Sequence, residues 1–341
     1  MKFDFETEVF AVYKLLNMFR LGAALALLSC GGYVHAGDSL AECTGIASDR
    51  ERLACFDRVA GTPSAVKAAV APAAPAKRSM IDEAWGFGPD APRYPLRYYR
   101  QNYILPASYT DDVNQEPFSP LFDAASSDLK LKDTEARFQM SFKNRVWTTD
   151  DRQWGLWVAY TQQSQWQVYS GDISRPFRET NYQPEVFVSF RPDVQLGDFR
   201  WGLLNFGYNH QSNGRSQILS RSWDRLFVEA AVERGDFALL GRAWYRMHES
   251  SDEDDNPDIT DYMGYGDLTA FYRRDGHSLT VMGRGNWNTG KGAIQLAWTT
   301  PPLLGPLRGY LRLFSGYGDS MIDYNWNQNI VGIGIALNDV L

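Results

Sequence analysis

Near its C-terminus the chain alternates apolar with polar or small side chains at a period of two. Between Leu307 and Tyr317 the apolar Leu307, Leu311 and Leu313 alternate with Arg308, Tyr310 and Arg312, and from Val331 to Leu337 the odd positions are Val, Ile, Ile and Leu against Gly, Gly and Ala. A period of two belongs to a strand whose two faces meet different surroundings. This pattern constrains the fold more than hydropathy does. The mean hydropathy of -0.38 is that of a soluble protein, and outside the N-terminus no run approaches the roughly 20 apolar residues of a spanning helix. A transmembrane β-barrel passes that test, because only alternate residues face lipid. The 11 Trp, 18 Tyr and 19 Phe in 341 residues suit the aromatic girdles of such a barrel.

Strands are predicted near 96-107, 135-147, 154-169, 182-192, 200-213, 221-235, 236-250, 262-276, 277-290, 291-303, 307-320 and 324-338. Twelve is an even number, as a bacterial single-chain barrel requires. Turns such as Arg234-Gly235-Asp236 and Asp275-Gly276 are short enough for hairpins with glycine at positive φ, whereas HESSDEDDNPDITD is long and polar. Short turns at one end and long loops at the other fit a barrel better than the alternative, a soluble β-sandwich.

Composition removes other classes. With 34 Lys+Arg against 41 Asp+Glu, a net charge of -7 and no basic block, nucleic acid is not an expected partner. The three cysteines, Cys30, Cys43 and Cys55, and the four histidines show no zinc-ligand spacing.

Residues 1-36 read as a secretory signal: Arg20, an apolar stretch from Leu21 to Leu28, then small residues ending Val34-x-Ala36. The acidic segment before Met18 is unusual for a signal, so Met18 is a second candidate start. Leu27-Leu28-Ser29-Cys30 offers a rival reading as a lipoprotein box. Residues 37-84 are expected to form an extension in which Cys43 and Cys55 close a loop in an oxidising compartment, followed by an Ala/Pro linker; residues 85-341 are the barrel.

The stretch LLNFGYNHQSNGRSQILSRSWDRL (203-226) carries the chemistry. Leu204, Phe206 and Tyr208 share one strand face, and His210 and Ser212 continue it. A hairpin would set Asp224 across from His210. A serine becomes nucleophilic when an imidazole takes its proton and a third group holds the other ring nitrogen. Polar groups interrupting a lipid-facing stripe are costly unless they have a role.

These residues resemble the outer membrane phospholipase A family of Gram-negative bacteria. The shared motifs are GYNHQSNGR (207-215), SRSWDRL (220-226), PFRETNYQPEVF (176-187), DDNPDIT (254-260), NWNTG (286-290) and SGYGDSMIDYNWNQ (315-328). The resemblance implies a twelve-stranded antiparallel transmembrane β-barrel in the outer membrane. It also implies calcium-dependent hydrolysis of glycerophospholipid acyl esters (A1, A2 and lysophospholipase activity) by a homodimer. Site by site, it makes Ser212 the nucleophile, His210 the base and Asp224 the third member, where the family carries asparagine. It gives the Gly214 N-H to the oxyanion, and it assigns Ca2+ to Ser220, the Arg215 carbonyl and a partner protomer's equivalent of Ser174. A second family calcium site matches at Asp255 but not at Gln217, and is not assigned. Gln162 matches a dimer-interface position; the competing reading is a lumen-facing amide beside Gln163. From another class, the alternative to the enzyme is a passive barrel, a pore or structural protein, with His210 and Ser212 incidental.

Overall fold

The computed structural model describes residues 39-59, 79-124, 130-252 and 254-339; the signal segment and the Ala/Pro linker lie outside them. The chain divides into two units, Met1–Ala74 and Pro75–Leu341. In the first, helices α1 (Ser39–Thr44) and α2 (Asp49–Val59) are tied by a Cys43–Cys55 disulfide with a Cα–Cα distance of 5.5 Å, as the export reading expects.

The second unit is a barrel of twelve antiparallel strands: β1 (Tyr103–Thr110), β2 (Thr134–Thr148), β3 (Trp154–Trp166), β4 (Phe177–Phe190), β5 (Phe199–Ser212), β6 (Ser222–Arg234), β7 (Phe237–Arg246), β8 (Gly266–Arg274), β9 (His277–Asn286), β10 (Lys291–Leu304), β11 (Leu307–Tyr317) and β12 (Asn327–Ala336). Each strand pairs with its sequence neighbours, and β12 pairs with β1, so the sheet closes. Closure pairs each of the twelve strands on both sides, as a bilayer demands of a spanning sheet. Two short segments prolong the wall at the short-turn end: Leu96–Tyr98 on β2 and Val194–Leu196 on β5.

Alternation sorts the side chains as the sequence predicts. Along β12, Val331, Ile333 and Ile335 are exposed, while Gly332 and Gly334 lie close to β1; a Cβ on Gly334 would meet the Ile104 carbonyl. Short turns cluster at one end and long loops at the other, with exposed Trp147, Trp154 and Trp298 towards the former and Tyr109, Tyr169 and Tyr245 towards the latter. These are the two aromatic girdles.

The lumen is filled. Glu185 lies 2.6 Å from Arg100 and 2.8 Å from Arg242, and Arg178 lies 3.0 Å from Glu135 and 2.9 Å from Asp323. At the short-turn end it is closed by helix α3 (Met80–Trp85), which falls within the stretch read from sequence as extension. Ser79 caps it, accepting from the Asp82 amide at 2.9 Å, and Gly86 ends it at φ 61. Its Ile81 and Trp85 pack with Tyr99, Trp157 and Phe187, and the Lys143 ammonium sits 3.2 Å over the Trp85 ring. The remaining lumen cavity is about 300 Å³ and is lined by charged and amide side chains such as Arg100, Gln163, Arg242 and Asp319, a filled interior and not a wide aqueous channel.

Candidate active site

Strands β5 and β6 form a hairpin whose register pairs His210 with Asp224 and Ser212 with Ser222. Phe206, Leu226 and Val228 on the same face are exposed, so the polar residues interrupt the outer, apolar surface. His210 Nδ1 is 2.8 Å from Asp224 Oδ1, and the Tyr208 hydroxyl donates to the same oxygen at 2.6 Å. About a third of each side chain is exposed, 36% for His210 and 32% for Asp224. A carboxylate on Nδ1 fixes the proton there and leaves Nε2 as the free acceptor nitrogen. Ser212 lies two residues along the same face, about 7 Å from His210 at Cα by strand geometry, and its hydroxyl has no hydrogen bond among the described residues. Contacts of this kind commonly close only when substrate binds.

Beyond Ser212 the loop is organised by Asn213. Its Nδ2 donates to the Leu219 carbonyl at 2.7 Å, and its Oδ1 accepts from the Arg215 and Arg221 amides at 3.2 and 3.0 Å. Buried Glu179, 3.4 Å from the same Nδ2, ties this loop to the lumen. Gly214 adopts φ 63, and a Cβ there would press on the Tyr182 ring at 3.0 Å, so both conformation and space call for glycine. The Arg215 guanidinium turns away to the Phe177 and Arg178 carbonyls. The sequence places Tyr208 on the face of His210 but does not show its bond to Asp224, and it gives no sign of the roles of Asn213 and Glu179.

Gly214, Arg215 and Ser220 therefore share one loop beside the His210–Asp224 pair. Ser174 stands apart, at φ 60 in the turn before β4, with no hydrogen bond to Arg215 or Ser220. Among the described residues no group of three or more His, Cys, Asp or Glu could hold a metal. A cation here would rely on hydroxyl and carbonyl oxygens, and the Ser220 hydroxyl and the Arg215 carbonyl are the hard donors that Ca2+ accepts. Gln162 lies on the outward face of β3 with Tyr160, accepting from the Tyr160 hydroxyl at 3.1 Å and donating to Ser164 at 3.3 Å. Its neighbour Gln163 lines the lumen.

Fold and surface together describe an outer membrane barrel with a hydrolase-like constellation on its lipid-facing wall. The phospholipase A1 family model matches residues 89–337, and the chain belongs to that family of ester-hydrolysing enzymes. It is 40% identical over 255 residues to the putative phospholipase A1 of Neisseria meningitidis, covering 72% of this chain and 66% of that protein. To the phospholipase A1 of Klebsiella pneumoniae it is 38% identical over 296 residues, 85% of this chain and 99% of that one. Among solved structures, outer membrane phospholipase A from Escherichia coli superposes with a TM-score of 0.67 at 38% identity, over 72% of this chain and 99% of the other. The Salmonella typhi outer membrane phospholipase, a dimer with bound calcium, gives 0.69 at 35% identity over 77% and 98%.

Proposed function

We propose that the chain hydrolyses glycerophospholipid acyl esters at its outer wall, as a calcium-dependent homodimer, through Ser212, His210 and Asp224. The observation that carries this reading is the 2.8 Å contact between His210 Nδ1 and Asp224 Oδ1 on a face otherwise apolar. His210 Nε2 takes the proton as Ser212 Oγ attacks the ester carbonyl, and the Gly214 N-H receives the oxyanion. On collapse His210 returns the proton to the departing glycerol oxygen. Water then releases the fatty acid by the same two proton transfers in reverse order.

Ser220 and the Arg215 carbonyl are the residues that would hold calcium in one protomer, with Ser174 supplied by the partner. The bound ion contributes positive charge next to the developing oxyanion. A ligand shared between protomers makes calcium binding and dimerisation reciprocal, and the related Salmonella typhi structure is a calcium-bound dimer. Gln162 belongs to the dimer face in this reading, where an outward amide finds a partner in hydrocarbon. The lateral position of the site gives direct access to outer-leaflet lipid. The rival pore reading is opposed by the packed lumen. Purified protein should release fatty acid from phospholipid micelles with calcium and lose that activity in chelator; undiminished release in chelator contradicts calcium dependence.

A further inference from the structure

The hydrogen-bonded ring is complete at mid-height but not at the short-turn end. Segment Leu96–Tyr98 continues the line of β1 and pairs with β2 alone, Leu96 with Asn144 and Tyr98 with Phe142. Among the described residues no strand covers its other side. β12 ends at Ala336, level with Tyr103, and the chain then turns so that Asn338 bonds to the Asn102 amide and Asp339 to Ser278. A cavity of about 670 Å³ lies at this gap. Leu96, Arg97 and Tyr98 all line it, although alternate residues of a strand point to opposite faces. The cavity therefore reaches both faces of this segment around its unpaired edge.

Its chemistry is divided in the same way. On the outside, exposed Leu96 and Tyr98 adjoin Phe142, whose ring centroid is 6.0 Å from that of Tyr98. On the inside are three arginines and two carboxylates. Arg273 lies 3.0 Å from Asp339 and 3.6 Å from Glu83, and Arg308 lies 3.9 Å from Asp339. Arg97 has no carboxylate at ion-pair distance among the described residues; its Nη1 donates to the Glu83 carbonyl at 2.6 Å, and its Nε is buried. Of the three guanidiniums, that of Arg97 is thus the one without a carboxylate partner among the described residues, beside an apolar outer surface. A guanidinium keeps its charge and suits phosphate. Short turns face the periplasm in barrels of this type, so the gap opens at the level of the inner leaflet, at the opposite end of the strands from Ser212.

We propose that this gap seats one glycerophospholipid of the inner leaflet, its phosphate on Arg97 and its acyl chains along Leu96, Tyr98 and Phe142. The lipid is a bound component of the wall, separate from the substrate. Native mass spectrometry of the delipidated full-length protein in chelator tests this with three probes: an ether-linked phosphatidylglycerol that cannot be hydrolysed, the same diether without phosphate, and inorganic phosphate. The expected result is one retained diether phospholipid, with the occupied fraction falling about tenfold in Arg97→Gln. That variant should keep the heat-modifiable mobility of a folded barrel and its calcium-dependent fatty-acid release. If Arg97→Gln fails to fold, Tyr98→Ser removes part of the acyl wall instead and should lower the retained fraction about fivefold. Equal retention in the variant that folds overturns the proposal. So does equal retention of the phosphate-free diether, and so does binding of inorganic phosphate with no retained lipid.

Discussion

Glu185 and Asp224 are carboxylates on opposite faces of one wall, and their partners differ in kind. Glu185, in the lumen, is held by Arg100 at 2.6 Å, Arg242 at 2.8 Å and the Tyr99 hydroxyl at 3.0 Å. Asp224, on the outside, is held by Tyr208 at 2.6 Å and His210 at 2.8 Å. A guanidinium stays protonated throughout the physiological range, so the lumen pairs can only hold the barrel together. An imidazole nitrogen can accept and return a proton, so the outer pair has the groups that proton transfer needs. The lumen polar groups are also many and linked by several arginine–carboxylate pairs, whereas the outer ones are few and partly exposed.

The contrast is broken most severely at His210. His210→Ala should lower fatty-acid release by about 10³-fold or more while leaving thermal unfolding of the barrel unchanged; a parallel loss of stability would make His210 structural. The converse substitution is Arg242→Leu. It leaves Glu185 with one arginine and Glu229 without its 3.9 Å partner, and should cost about 3 kcal/mol of stability in detergent-based unfolding, with activity per folded molecule retained.

Smaller effects sharpen the comparison. Gln162→Leu removes one outward amide and should raise the calcium needed for half-maximal dimerisation about fivefold in sedimentation experiments, equivalent to about 1 kcal/mol. Asp224→Asn keeps an oxygen acceptor for the imidazole and should change activity by no more than about threefold; complete loss would mean the negative charge itself is required. At the long-loop end, Asp319 gives a pH signature. Burial pushes its carboxyl up, but Arg137 and Arg312 outweigh burial and hold it well below the usual range. Its stabilising contribution is therefore present above the unfolded value, about 3.9, and is lost as pH falls below it. Unfolding midpoints recorded between pH 5 and pH 2 should decline, most steeply below about pH 4, and less so in Asp319→Asn.

The strands were legible because alternation survives wherever one face meets lipid and the other the lumen, as in β11 and β12. Boundaries failed where side chains replace the ladder. The first strand, expected over 96-107, breaks at 99-102 because the Asn102 amide bonds to Ser141 in both directions, at 2.7 and 3.0 Å. β8 starts at Gly266 and not near 262 because Ile259–Met263 forms a helical turn. α3 had a readable signature, Ser79 three residues before Asp82 and Gly86 after Trp85, but the Ala/Pro-rich stretch before it hid the boundary. In the site, facing and register followed from counting along two strands, so His210 opposite Asp224 was predictable. The loop after Ser212 was not, because Asn213 and Glu179 act through contacts between segments distant in sequence.

In the proposed reaction a hydroxyl on the outer wall of a barrel, that of Ser212, is the nucleophile. Ser212→Ala tests it most directly, by fatty-acid release from phospholipid micelles with calcium, measured beside the heat-modifiable mobility of the folded barrel. Release should fall to background while the folded band persists. Release at the unsubstituted rate from that folded barrel would contradict the account.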